Sequence, residues 1–185
     1  MRKVLGRKFF DRETEIVATE LLGKFLVRKT GRSEIALMIT EVEVYDGFRD
    51  KASHAARGKT KRNSIMFGPA GRWYVYFTYG THWMLNVVTR EEGYPAAVLI
   101  RAASALDSFG VPRAVLSGPA KLTKFLKIDK KLNGLPATKK SGLWIEDRSF
   151  KVHVSRFKRG PRVGVTYAGP YWAKRKWRFW VGSRE

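Results

Sequence analysis

Two glutamates near the middle of the chain are the residues best suited to proton transfer. Glu41 and Glu43 lie in a predicted strand, residues 34–45, whose side chains alternate between faces, so both share a face with Tyr45. Counting back along the strand adds three apolar residues to that face: Ile35, Leu37 and Ile39. A carboxylate at the edge of a core has a raised pKa and can take a proton from water near neutral pH. Glu43 is the main candidate for this role and Glu41 its rival, although an arginine partner would make either one structural.

Aromatic side chains follow these glutamates at positions that suit contact with nucleobases. Tyr79 directly precedes Gly80–Thr81, which has the Gly-X form of a two-residue hairpin turn. An aromatic side chain at a protruding tip can enter a base stack and hold the gap open; the alternative is a tyrosine folded back on its hairpin. Tyr45, Tyr76 and His54 could form a stacking pocket for an extruded base, or they could be ordinary aromatic core.

The charge of the chain favours a polyanionic partner. The 185 residues include 37 Lys and Arg against 16 Asp and Glu, a formal net charge of +21. Such an excess attracts nucleic acid and disfavours self-association, so we expect a monomer that contacts DNA or RNA. Arg101 ends an apolar strand, residues 96–102, and needs a phosphate or a carboxylate as partner. The basic segment 173–180 is either a phosphate-binding face or a solvated strand edge.

The composition also excludes several classes of site. The chain has no cysteine, which excludes disulfides, thiolate zinc sites and iron–sulfur clusters. Its three histidines lack the spacing of metal ligands, so we expect no metal and no cofactor. No run of 18 apolar residues predicts a membrane span, and the basic N-terminus lacks the apolar core of a secretory signal. We therefore expect an intracellular protein that is associated with DNA and contacts no membrane.

Patterning along the chain predicts strands in succession with few helices. Asp11 is the predicted N-cap of a first helix that ends at Gly23, and a second helix is predicted to begin at Ser117–Ala120. In the second helix we expect Lys121 and Lys124 to face outward, and three apolar residues to face inward: Leu122, Phe125 and Leu126. The predicted strands cover residues 25–29, 34–45, 73–79, 82–88, 96–102, 143–145, 150–154, 162–165 and 178–181.

This pattern predicts an α+β fold. We expect a single domain over residues 1–185, with a curved antiparallel β-sheet, flanking helices and a protruding β-hairpin. The long polar loop of residues 48–63 is basic, and loops of this kind on a rigid scaffold often carry function.

Taken in order, these residues resemble the alkyladenine (3-methyladenine, or methylpurine) DNA glycosylase family. The similarity extends over about residues 8–181. The matching segments are Phe9–Phe10, Leu21–Gly23, Glu41–Tyr45, Ala52–His54, Arg62–Asn63, Met66–Phe67, Tyr74–Tyr76, Tyr79–Gly80, Asn86, Leu99–Arg101, Ser117–Pro119, Lys121–Leu122 and Arg162–Val165. One departure is Thr81, where the family commonly has methionine.

The resemblance implies a role for each matching site residue. Glu43 would activate water, with Arg101 placing that water and the phosphate of the flipped nucleotide. Tyr45 and Tyr76 would stack on the base and His54 would hydrogen-bond to it. Asn86 would stand near the purine edge, and Tyr79 would fill the hole left in the duplex. Backbone contacts to DNA are predicted for four basic residues: Arg57, Lys59, Arg62 and Lys121.

The resemblance implies a monofunctional glycosylase acting on double-stranded DNA that contains damaged purines. It would excise alkylated purines, and also deaminated or etheno purines, and leave an abasic site. A non-catalytic nucleic-acid-binding module on the same scaffold would explain the charge but leave Glu43 without a role. An enzyme acting on free nucleosides fits the large basic surface less well.

Overall fold

The computed structural model describes residues 2–107 and 112–182 and has the predicted α+β architecture, a curled antiparallel sheet flanked by helices. Its main path runs β1-β8-β2-β3-β6-β5-β4, with β7 paired to β6, and β10 paired to both β3 and β9. The strands are β1 Lys3–Val4, β2 Phe25–Thr30, β3 Ser33–Asp46, β4 Trp73–Thr78, β5 His82–Val88, β6 Ala96–Leu106, β7 Pro112–Ser117, β8 Leu143–Asp147, β9 Phe157–Gly160 and β10 Arg178–Val181. The helices are α1 Arg7–Phe10, α2 Thr14–Leu21, α3 Pro119–Phe125 and α4 Pro170–Lys174.

The central strand β3 contains a bulge that changes which residues share a face. Its register with β6 shifts on both sides of Glu41, first by an extra residue in β3 and then by an extra residue in β6. As a result Ile39 packs in the same main core as Val42 and Val44, whereas Met38 belongs to a separate cluster. The predicted alternation, which put Glu41 and Glu43 on the face of Ile35, Leu37 and Ile39, is therefore wrong.

The main core separates helices α2 and α3 from the site. Apolar residues of α2 and α3 pack there against β3 and β6: Val17, Ala18, Leu21, Leu122, Leu126, Ile39, Val42, Val98 and Ile100. The buried Trp73 adds its ring to this core, and its indole N–H donates to the Leu143 carbonyl at 3.0 Å, so this buried polar group is paired. Glu43 and Tyr45 lie outside this cluster, on the other face of β3, where a second group of residues forms a cavity.

The helix ends match the sequence expectations only in part. Helix α2 begins at Thr14 after Glu13, whereas Asp11 follows α1, so the predicted N-cap is wrong. Gly23 has φ +85°, a conformation that suits glycine, and it ends the first helical region as predicted. Helix α3 begins with Pro119 after Gly118, which confirms the predicted start. Phe125 is exposed rather than inward, because the short helix turns it away from the sheet.

Two predicted strands are absent from the described part of the chain. Residues 150–153 are irregular, and Val154 begins a 3₁₀ turn. Phe150 packs edge-on against Phe25, at a ring distance of 6.3 Å, so its apolar character serves side-chain packing and not sheet pairing. Residues 162–165 form a turn in which Gly164 has φ +72°, so alternation there also does not mean a strand.

Candidate active site

The bulged strand β3 places Glu43 in a fully buried position. The Glu43 Oε1 atom accepts a hydrogen bond from the Val163 backbone N–H at 2.7 Å and lies 3.4 Å from Arg101 Nη1. Its Oε2 atom accepts a hydrogen bond from the Tyr45 hydroxyl at 3.0 Å. Burial raises the pKa of Glu43, and the contacts with Arg101, Val163 and Tyr45 offset only part of that rise. A carboxylate held in this way has one orientation and raised basicity, which suits a general base.

Glu41 has different surroundings although it belongs to the same strand. The Glu41 Oε1 atom accepts from Arg101 Nε at 3.0 Å and from Arg178 Nη1 at 3.3 Å. Arg101 therefore bridges the two glutamates and uses its better-placed nitrogen on Glu41. Two guanidinium groups neutralise Glu41, while Glu43 keeps the weaker contact, so the two candidates that strand spacing left open differ in their ion pairing.

A small cavity of about 50 Å³ is connected to Glu43 through Tyr45. It is lined by all four residues predicted for the base pocket: Tyr45, His54, Tyr76 and Asn86. Ala52, Met66, Tyr74, Ala97 and Tyr167 complete the lining. Glu43 and Arg101 do not line it; Tyr45 connects them, because its ring faces the cavity and its hydroxyl binds Glu43. The volume is enough for a few water molecules.

Three aromatic rings form one wall of the cavity. His54 Nδ1 lies 2.9 Å from the Tyr74 hydroxyl, and the His54 ring meets Tyr76 at 4.6 Å with an interplanar angle of 71°. Burial, together with the nearby Arg62 charge, lowers the pKa of His54, so its imidazole is neutral at pH 7. Asn86 donates its amide N–H to the Tyr74 carbonyl at 3.0 Å and is held in place by that bond.

The hairpin of β4 and β5 carries Tyr79 at its tip. The loop spans the three residues 79–81, with positive φ angles at Tyr79 (51°) and Gly80 (65°), so the predicted two-residue Gly80–Thr81 turn is wrong and Tyr79 belongs to the loop. Tyr79 is 83% exposed, so it is not folded back on its hairpin.

The four basic residues predicted to bind DNA are all exposed: Arg57, Lys59, Arg62 and Lys121. Arg62 connects this surface to the cavity, since its guanidinium lies 5.3 Å from the Tyr76 ring centre and donates to the Phe77 carbonyl at 2.9 Å. Lys121 projects from α3, which is tied to the hairpin by the Thr123 hydroxyl donating to the Trp83 carbonyl at 2.9 Å.

The structure adds residues that sequence reasoning did not assign to the site. Val163 supplies the N–H on Glu43, Tyr74 holds His54, and the exposed Tyr167 borders the cavity and donates its hydroxyl to the Ala52 carbonyl at 3.0 Å. Arg162, the residue before Val163, forms a buried ion pair with Asp50. The sequence Arg162-Val163-Gly164-Val165 gave no signal of this role, because its alternation suggested a strand instead.

Two negative findings apply to residues 2–107 and 112–182. They contain no group of three or more His, Asp or Glu side chains that could hold a metal ion. None of the helices in these ranges is long and apolar enough to cross a membrane.

Comparison with known proteins agrees with this arrangement. The model of the methylpurine-DNA glycosylase family matches residues 8–185. A protein of Methanocella arvoryzae, named provisionally as a 3-methyladenine DNA glycosylase, is 44% identical over 96% of this chain and 92% of its own length. Proteins with the same provisional name from Anaeromyxobacter dehalogenans (45% identical, 95% and 82%) and Streptomyces avermitilis (40%, 98% and 89%) are similarly related. The chain therefore belongs to the methylpurine-DNA glycosylase family, whose members are DNA repair enzymes that hydrolyse N-glycosidic bonds.

Proposed function

We propose that this protein is a monofunctional DNA glycosylase that flips alkylated purines out of duplex DNA and excises them. The observation that carries the proposal is the oriented, fully buried Glu43 carboxylate beside a cavity walled by aromatic rings. The substrates would be 3-methyladenine and 7-methylguanine, and the product an abasic site in an unbroken strand. Deaminated and etheno purines would be a second group of substrates; unlike alkylated purines they have neutral bases, which need protonation before they leave.

Chemistry at the sugar would need one water molecule and one base. The water oxygen bonds to C1′ while the C1′–N bond to the purine breaks, and Glu43 takes the proton of the water. The transition state has oxocarbenium character at the sugar, which a nearby carboxylate stabilises. An alkylated purine carries a positive charge and departs as a neutral base, so this route requires no metal ion.

The cavity residues would select the base. Tyr45 and Tyr76 would stack on it, and electron-rich rings favour a cationic purine over a normal one. His54, neutral at pH 7, would hydrogen-bond to the base, and Asn86 would stand at the purine edge and disfavour the 2-amino group of guanine.

Duplex DNA would be held by the surface around the cavity. Tyr79 would fill the gap left by the flipped nucleotide, which reduces the cost of unstacking. Arg101 would reach the phosphate of that nucleotide while it keeps its contact with Glu43. Further phosphates would meet Arg57, Lys59, Arg62 and Lys121. The protein would act as a monomer, in the intracellular compartment that holds DNA.

A base-release assay tests the proposal. Duplexes that carry one 7-methylguanine, hypoxanthine or ethenoadenine are incubated with excess protein, and free base and abasic sites are counted. We expect release of 7-methylguanine with an abasic site and no strand cut, and slower release from the same lesion when Tyr79→Ala replaces the wild type. A folded protein that binds these duplexes but releases no base from any of them would support the non-catalytic binding module instead.

A further inference from the structure

The buried ion pair between Arg162 and Asp50 has no role in the chemistry described above. Both side chains are 0% exposed, and the pair is bidentate, with Nη1–Oδ2 at 2.6 Å and Nη2–Oδ1 at 2.8 Å. Arg162 Nη1 also donates to the Val44 carbonyl at 2.8 Å. Burying two charges is expensive even when they pair well, and such a pair is weak evidence for stability on its own. Its position in the molecule gives a better explanation.

Arg162 connects the ion pair to Glu43, the proposed general base. Arg162 directly precedes Val163, whose backbone N–H donates to Glu43 at 2.7 Å. The Val163 side chain is exposed and gives its own backbone little anchorage. The bonds from Arg162 to Asp50 and to the Val44 carbonyl therefore fix the backbone that carries this N–H group.

Both residues of the ion pair also contact segments that form the walls of the cavity. Asp50 Oδ1 accepts a hydrogen bond from the Ala52 N–H at 3.0 Å, and so shapes the turn that delivers His54. The Arg162 guanidinium also lies 4.8 Å from the centre of the Tyr45 ring, the ring that joins Glu43 to the cavity. A single ion pair thus fixes the relative positions of three segments: the Val163 loop, the turn before His54, and strand β3.

We propose, as an extension of the glycosylase function proposed above, that Arg162 is a positioning residue that aims the Val163 N–H at Glu43 and supports Tyr45, with Asp50 as its anchor. The pair would set the geometry of general base and base pocket together. Since Arg162 lies beneath both, it would touch neither the water nor the purine.

A charge-preserving substitution separates position from charge. The charged and titratable groups around Glu43 are Glu41 on its own strand, Arg101 on β6, Arg178 on β10, and the hydroxyls of Tyr45, Tyr76 and Tyr167. Arg162→Lys removes none of these groups and keeps one positive charge beneath Tyr45. A single ammonium group cannot reproduce the bidentate pairing, so the variant changes geometry alone.

The experiment is a pH profile of single-turnover release of 7-methylguanine, a base that leaves without protonation. The matched control is Arg148→Lys, the same change at the ion pair of Arg148 with the buried Glu146, 2.7 Å apart in another part of the sheet. The acid limb of the profile is the low-pH range in which the rate rises as Glu43 ionises. For Arg162→Lys we expect the midpoint of this limb to move up by about one pH unit, because Glu43 loses its backbone N–H donor. Its plateau rate should also fall roughly tenfold through misplacement. Arg148→Lys should keep the acid limb of the wild type.

An acid limb that stays in place in Arg162→Lys, with a rate lowered only in proportion to the folded fraction, overturns the proposal. If that variant does not fold, an amide-to-ester replacement at Val163 removes the same N–H group with Arg162 intact. The ester should produce the same shift, and an unchanged limb would again overturn the proposal. A wild-type protein that releases no base refutes the glycosylase function, not the positioning role. That role is then tested by ¹³C NMR titration of the Glu43 carboxyl group, which should titrate about one unit higher in Arg162→Lys than in the wild type.

Discussion

Glu43 in β3 and Glu146 in β8 are both buried glutamates of the same sheet, with exposures of 0% and 2%. Each accepts a hydrogen bond from an aromatic side chain two residues further along or back: Tyr45 to Glu43 at 3.0 Å, and Trp144 to Glu146 at 2.8 Å. Each also lies beside an arginine. The two pKa values nevertheless shift in opposite directions, upward for Glu43 and downward for Glu146.

The arginines account for much of the difference. Arg148 Nε donates to Glu146 at 2.7 Å. Arg101 gives its Nε to Glu41 and approaches Glu43 only with Nη1, at 3.4 Å. Burial raises the pKa of both glutamates, but at Glu146 the bonds from Trp144 and Arg148 more than offset it. A buried carboxylate becomes a candidate base where its pairing is left incomplete.

The largest expected effect comes from removing each carboxylate in turn. Glu43→Gln should lower single-turnover release of 7-methylguanine by at least about 10³-fold, since it removes the proposed base. Binding to the damaged duplex should stay within a few-fold of the wild type. Glu146→Gln, the matched control, should retain the excision rate per folded molecule. Comparable losses in both variants would remove the functional distinction between the two glutamates.

The same two variants should also differ in stability, with a loss in Glu146→Gln and none in Glu43→Gln. The raised pKa of Glu43 means that ionisation opposes folding, a cost that appears as pH rises through the folded-state pKa. Glu43→Gln should therefore be as stable as the wild type at pH 7, or more stable by about 1 kcal/mol. The lowered pKa of Glu146 contributes stability that is lost as pH falls, so Glu146→Gln should lose about 1–3 kcal/mol at pH 7.

Urea unfolding at pH 7 and at pH 3.5 measures both differences. They should shrink at the lower pH: Glu43, with its raised pKa, is protonated there in the folded protein, and Glu146 is protonated there in the unfolded chain, which removes part of the stability that its ionised form contributes. A Glu43→Gln variant that is clearly less stable than the wild type at pH 7 would mean that Glu43 is a structural ion-pair partner.

A smaller effect is expected from the aromatic donors. Tyr45→Phe keeps the ring at the cavity but removes the hydroxyl on Glu43, so the acid limb of the pH–rate profile should rise by less than about one unit and the plateau rate fall a few-fold. Trp144→Phe removes the corresponding donor on Glu146 and should cost about 1 kcal/mol of stability without moving that limb. The pH–rate profiles of the two variants are measured in parallel. An acid limb that moves in Trp144→Phe but not in Tyr45→Phe would contradict the assignment of that limb to Glu43.

The sequence predicted the order of most strands, because hydrophobic runs and turn residues between residues 25 and 106 give clear signals. It could not predict the bulge in β3, since no residue type near Thr40 marks the extra residue, and one inserted residue exchanges the two faces of the strand. The short strands β1, β7 and β9 were also missed; they are held by pairing with distant segments and not by their own pattern.

The residues that line the candidate site were predicted more completely than the residues that hold Glu43 in position. Tyr45, His54 and Tyr76 line one cavity, as their aromatic character had suggested, and so does Asn86, which only the resemblance to a known family had selected. The Val163 N–H on Glu43 is a backbone contact across 120 residues, which no side-chain pattern reveals. The difference between Glu41 and Glu43 depends on which nitrogen of Arg101 each one meets, and only coordinates contain that information.

The most direct test of Glu43 as the general base is the pH profile of 7-methylguanine release by the wild type and by Glu41→Gln. The wild-type rate should rise with pH through a midpoint above the ordinary glutamate value of about 4.3. In Glu41→Gln this midpoint should move down, because the negative charge of Glu41 helps to raise the pKa of Glu43, and Arg101 becomes free to pair with Glu43. An acid limb that stays in place in Glu41→Gln would contradict the assignment of that limb to Glu43.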